Sequence, residues 1–166
     1  MPEISYAGEQ DVEIIRELAH VIWPVAYGDI LSPQQLAYML DLIYSEEALL
    51  NQINEKEHQF IIVKENNIAV GFASYSPKVK NERQVFRLHK LYVLPSQQEK
   101  GIGKILLHFI LTEIRKQSAG ILELNVNRNN KALHFYKKIG FAISREEDID
   151  IGEGYFMNDY VMELKV

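Results

Sequence analysis

Leu91-Tyr92-Val93-Leu94-Pro95-Ser96-Gln97-Gln98-Glu99-Lys100-Gly101-Ile102-Gly103-Lys104 is the stretch whose reading decides the fold. A strand stops at Pro95, a polar turn follows, and two glycines open a long helix. Such a junction turns several backbone N–H groups toward one point, with the positive end of a helix dipole behind them. A phosphate or pyrophosphate is the usual occupant of that geometry. Glycine serves there because a side chain would keep the phosphate away from the backbone.

Two common phosphate motifs fail. A P-loop needs glycine at position 98 and Ser or Thr after Lys104, where this chain has Gln98 and Ile105. A Rossmann fingerprint needs a small residue three positions after Gly103, where Leu106 stands. What remains is Gln98-x-x-Gly101-x-Gly103. Downstream lies an alternating strand, Ile121 to Val126, and then Asn127-Arg128-Asn129-Asn130-Lys131-Ala132-Leu133-His134-Phe135-Tyr136-Lys137-Lys138-Ile139-Gly140-Phe141.

The first element resembles the acyl-CoA pyrophosphate loop of the GNAT superfamily of N-acyltransferases. The second is similar to that superfamily's Asn-x-x-Ala-x-x-x-Tyr element followed by Gly-Phe, with Asn129, Ala132, Tyr136, Gly140 and Phe141 in register. Together they cover the C-terminal half. Trp23, Tyr27, the Tyr38-Met39-Leu40-Asp41 segment and Asn158 to Met162 are similar to a bacterial subset that includes polyamine acetyltransferases.

Composition agrees with one α/β domain over residues 1–166. With 47% hydrophobic and 25% charged residues the chain can bury a core, and its net charge of −5 speaks against a nucleic-acid partner. The absence of cysteine removes disulfides, thiolate metal sites and a cysteine nucleophile. His20, His58, His108 and His134 show no spacing with carboxylates that suggests a metal centre, so no metal is expected. Met1-Pro2-Glu3 opens no signal peptide and no apolar run spans a bilayer, so the expectation is a soluble cytoplasmic protein without a membrane partner. A homodimer is plausible for the resembled family.

Along the chain, Ile4 to Ala7 reads as a strand. Val12, Ile14, Ile15, Leu18, Ala19 and Ile22 mark a helix face that Trp23-Pro24 should end. Ser32-Pro33-Gln34-Gln35 reads as a capping box with proline at the first helical position, and Ser45 as the cap of a third helix. Strands follow at Gln59 to Glu65, Ile68 to Ser76 and Gln84 to Leu94, the first two joined at Asn66-Asn67. A helix from Lys104 to Gln117 should pack through Ile105, Leu106, Phe109, Ile110 and Ile114. Phe141 to Ile149 and Tyr155 to Lys165 form a terminal hairpin about Gly152 and Gly154. The order implies a mixed, mostly antiparallel central sheet flanked by helices. The resemblance adds that two strands splay at the cofactor site.

The resemblance also implies the chemistry. Backbone groups at Leu91, Tyr92 and Val93 pair with the pantetheine arm of acetyl-CoA, the cosubstrate, and polarise its thioester. The turn of Gln98, Glu99, Lys100, Gly101, Ile102, Gly103 and Lys104 binds the pyrophosphate, and Asn129 the pantetheine. Tyr136 contacts the cofactor and is the general acid. His89, whose ordinary pKa suits a base, and Glu123, which shares a strand face with Asn125, are candidates for deprotonating the amine. Trp23 and Tyr27 line the acceptor pocket. The acidic run Glu146-Glu147-Asp148 with Asp150 and Glu153 offers either an attraction for a cationic amine or a solvated hairpin. Transfer of acetyl to a primary amine, a small cationic one such as a polyamine, is the leading expectation. Its rivals are a protein N-terminal or lysine acetyltransferase, a non-catalytic acyl-CoA sensor and a generic nucleotide-binding domain.

Overall fold

Residues 1–166 are described by a computed structural model. The strands are β1 (Glu3–Ala7), β2 (Gln59–Glu65), β3 (Ile68–Pro77), β4 (Val85–Val93), β5 (Ile121–Asn127), β6 (Ala142–Gly152) and β7 (Tyr155–Lys165). The helices are α1 (Val12–Tyr27), α2 (Pro33–Tyr44), α3 (Glu46–Asn54), α4 (Ile102–Arg115) and α5 (Ala132–Ile139). The strands form a seven-stranded sheet in the order β1-β2-β3-β4-β5-β7-β6. β4 and β5 run parallel, and the β1–β2, β2–β3, β5–β7 and β6–β7 pairs are antiparallel. This is the mixed α/β architecture expected.

Contacts gather the chain into two units, Met1–Ser76 with Lys90–Ile110, and Pro77–His89 with Leu111–Val166. In the first, Phe60, Ile61, Ile62 and Val63 are all buried, so β2 is covered on both faces. The register shows how. Tyr6 pairs with Ile61 and Ser5 with Ile62, and Ile62 pairs with Phe72. Tyr6 meets Phe109 of α4 on one face, while Phe72 meets Tyr44 of α2 on the other. Ser32 caps α2 by accepting from the Gln35 N–H, and Ser45 caps α3 by accepting from the Ala48 N–H, each at 3.1 Å.

In the second unit, Leu122, Leu124 and Val126 of β5 are buried. The edge strand β6 carries Arg145, Glu146, Glu147 and Asp148, charges that guard its open hydrogen-bonding side. The β6–β7 turn takes positive φ at Gly152, Glu153 and Gly154.

Two expectations need correction. Helix α1 does not end at Trp23-Pro24. It runs on to Tyr27 with Pro24 inside it. Proline removes one N–H and kinks a helix rather than forbidding it, and here packing of Trp23 and Tyr27 holds the last turn. Ile105 does not face the core but is 39% exposed, because the buried stripe of α4 runs through Ile102, Leu106, Leu107, Ile110 and Ile114 and Ile105 lies off it. No helix is long and apolar enough to cross a membrane.

Candidate active site

The turn from β4 to α4 belongs to the first unit. A short 3-10 segment covers Pro95–Gln97, and Glu99 and Gly101 then take positive φ, 67° and 78°. The first helical hydrogen bond runs from the Ile105 N–H to the Gly101 carbonyl at 3.0 Å. The amides of Ile102, Gly103 and Lys104 therefore precede the helical ladder and carry the dipole's positive end. A Cβ at Gly101 would meet nothing within 4 Å, so the turn faces open space. This donor set fits a pyrophosphate. Gln98 takes a structural part, its Nε2 donating to the Val93 carbonyl at 3.3 Å, and Lys100 donates to the Gln97 Oε1 at 3.1 Å.

The strand before that turn is held closely. The Leu94 N–H donates to the Val70 carbonyl at 2.8 Å. A Cβ on Gly71 would lie 2.8 Å from the Tyr92 carbonyl, so glycine alone lets β3 approach Tyr92 and Val93. Tyr92 also joins an aromatic cluster. Because α1 continues through Pro24, Trp23 and Tyr27 stand one turn apart on one face, with ring centroids 4.6 Å apart. The Tyr27 and Tyr92 hydroxyls are 2.9 Å apart, and Trp23 packs on both Tyr92 and Tyr44. Trp23 is buried at 4% exposure, while Tyr27 is half-buried.

The second unit carries the other expected residues. Asn129 is exposed, its N–H bonded to the Asn127 Oδ1 at 2.9 Å. The Asn130 Oδ1 accepts from the Ala132 N–H at 2.9 Å and so opens α5. Tyr136 is buried between the rings of Phe135 and Phe141, with centroids 5.3 and 5.5 Å away. Gly140, at φ 122°, closes α5 and turns the chain into Phe141.

Glu123 lies on the β5 face opposite Leu122 and Leu124, as expected, but that face is covered. Its carboxylate is 2% exposed and accepts from Lys78 Nζ at 2.9 Å and Arg87 Nη1 at 2.6 Å. Arg87 also donates to the Asn125 Oδ1, and a cation there can only donate, which fixes the amide's orientation. The Asn125 Nδ2 then donates to Glu147 and Asp159, each at 3.2 Å. Asp159 is 2% exposed, and burial raises its pKa above the usual carboxylate value. Hydrogen bonds from Asn125 and Arg145 lower that of Glu147. His89 is half-buried and shares a β4 face with Arg87. The β4–β5 ladder pairs Val85 with Ile121 through Leu88 with Leu124.

Residue patterns did not single out Arg87 or Lys78, since isolated charges carry no spacing signal, and Asp159 entered only as part of the Asn158 to Met162 segment. The parallel register that puts Arg87 opposite Glu123 comes only from the sheet.

Residues 29–164 match the acetyltransferase (GNAT) domain family. The chain belongs to that family and is an acetyl-CoA-dependent N-acetyltransferase. It is 31% identical over 170 residues to the spermidine N(1)-acetyltransferase of Thermoplasma acidophilum, covering 98% of this chain and 96% of that one. An uncharacterised N-acetyltransferase of Mycobacterium bovis is 26% identical over 153 residues, covering 92% of this chain and 96% of that one. Among solved structures, the PaiA N-acetyltransferase of Thermoplasma acidophilum in complex with coenzyme A superposes with a TM-score of 0.84 at 27% identity, covering 100% of this chain and 99% of that one.

Proposed function

We propose that this acetyltransferase acts on a small cationic primary amine, of which a polyamine is the leading example. The observation that carries the proposal is the 31% identity, along nearly the whole chain, with a spermidine acetyltransferase. The acidic β6–β7 hairpin, with Glu146, Glu147, Asp148, Asp150 and Glu153, supports it by favouring approach of a cation.

Acetyl-CoA supplies the acetyl group as a thioester and leaves as a thiol. The amides of Ile102, Gly103 and Lys104, with the rest of the turn from Gln98, hold its pyrophosphate. Backbone groups of Leu91, Tyr92 and Val93 hold the pantetheine arm and polarise the carbonyl. The Asn129 amide hydrogen-bonds the same arm.

Tyr136 donates its hydroxyl proton toward the leaving sulfur. A phenol at about 10 and a thiol at about 8.5 make full transfer uphill by roughly 2 kcal/mol, so the hydrogen bond to the developing thiolate is the useful part. An alkylamine with pKa about 10.4 costs roughly 4–5 kcal/mol to deprotonate near neutral pH. His89 is the base we assign. Both carboxylate oxygens of Glu123 already accept from cations, so we do not assign it as the base. It orients the Arg87–Asn125 network instead. Trp23 and Tyr27 form the acceptor wall.

The test is release of CoA thiol from acetyl-CoA over spermidine, spermine, amino acids, aminoglycosides and N-terminal peptides. Preferred turnover of spermidine or spermine is the expected result. Preference for a peptide would move the activity to protein N-termini, a reading favoured by 30% identity over 62% of this chain to the bS18-alanine N-acetyltransferase of Haemophilus influenzae. Acetyl-CoA binding without turnover of any of these amines would overturn the polyamine reading.

A further inference from the structure

Lys90, on β4 next to Leu91, is 7% exposed and is met by no carboxylate. Its Nζ donates to the Gln52 Oε1 of α3 at 2.6 Å and lies over the rings of Tyr44 and Phe60, 5.7 and 5.3 Å from their centroids. Gln52 is itself buried and pinned, its Nε2 donating to the Ile43 carbonyl at 2.9 Å.

From Tyr44 an unbroken chain of rings leads to the expected acceptor wall. Tyr44 meets Trp23 at 5.5 Å, Trp23 meets Tyr27 at 4.6 Å, and the Tyr27 hydroxyl meets that of Tyr92. Two buried polar atoms in this chain, Trp23 Nε1 and the Tyr44 hydroxyl, influence each other without reaching hydrogen-bond geometry and have no other partner. Interiors rarely tolerate such groups. Lys90 Nζ lies over the ring of one of them, Tyr44.

We propose that Lys90 is a positioning residue whose proton sets the stance of the Tyr44, Trp23 and Tyr27 rings and thereby the acceptor wall. The last step rests on the acceptor reading above. The proton is loosely held. Burial first, and Lys56 second, bring Lys90 down to about 7. The groups facing it do not titrate alongside it. Burial raises the phenol of Tyr44 on α2, so it stays neutral. His58, before β2, is lowered to about 4 by burial, Lys90 and Lys56. Gln52 and Phe60 carry no charge.

Trp23 is the chain's single tryptophan, so its emission in protein free of acetyl-CoA reads this coupling without any assay of turnover. Wild type should show one pH transition centred near 7. Lys90→Met should abolish it. Gln52→Glu, which places a carboxylate beside Nζ, should move it upward by about one unit or more. A flat wild-type titration, or an unchanged transition in Lys90→Met, overturns the proposal. If Lys90→Met does not fold, the Gln52→Glu shift decides it. With spermidine as acceptor, its KM should follow the same midpoint in wild type and lose that dependence in Lys90→Met, while the KM for acetyl-CoA does not change. A spermidine KM indifferent to the midpoint overturns the link to the acceptor wall. Absence of turnover with every amine defeats the acceptor reading, and the fluorescence result still stands on its own.

Discussion

Tyr136 and Glu123 lie in different surroundings within one unit. Tyr136 is buried between Phe135 and Phe141 with its backbone in α5, so Tyr136→Phe keeps the packing and removes only the hydroxyl. The expected result is a fall in kcat of about 10²-fold or more, the scale of a lost general acid, with acetyl-CoA affinity by calorimetry nearly unchanged. An unchanged kcat removes Tyr136 from the chemistry. Glu123→Gln strands Lys78 and Arg87 instead. Breaking a buried ion pair costs about 3–5 kcal/mol. The lower end is expected, because Lys78 is 37% and Arg87 25% exposed. Chemical denaturation measures that loss directly. A stability equal to wild type would show that the cations do not depend on this carboxylate.

The elements owe their limits to a few side chains. Ser45 ends α2 and caps α3 at once. It thereby sets the course of the helix that brings Gln52 to Lys90. Ser45→Ala removes the acceptor for the Ala48 N–H and should cost about 1 kcal/mol, seen as a lowered midpoint in denaturant. It should also weaken the Lys90–Gln52 contact. Helix α1 is where local rules misled. Pro24 reads as a stop, yet α1 extends one turn past it, because burying Trp23 against Tyr44 and Tyr92 outweighs one missing hydrogen bond. That extra turn puts Tyr27 beside Tyr92. The caps at Ser32 and Ser45 and the positive φ of Asn66 and Asn67 were legible, since each depends on its nearest neighbours in sequence.

At the scale of the whole molecule, stability against pH follows from the depressed bases. His58 is held at about 4 against an ordinary 6.5, so between those values the unfolded chain binds more protons and stability falls as pH drops. Lys90, at about 7 against 10.5, makes stability rise as pH climbs across that interval. Thermal unfolding should therefore give a Tm that falls from pH 6.5 toward 4, and a gain between pH 7 and 10.5 that Lys90→Met flattens. A Tm that drops over the upper interval in wild type would contradict the burial of Lys90. The order of elements, the mixed sheet and the glycine turn at Gly101 were determined by sequence alone. Periodicity, capping and tolerance of positive φ are properties of short stretches. The Lys78–Glu123–Arg87 ion pairs, the Tyr27–Tyr92 contact and the isolation of Lys90 were decided only by tertiary structure. Each depends on strand register and on the surrounding dielectric, which residues far apart in the chain create together.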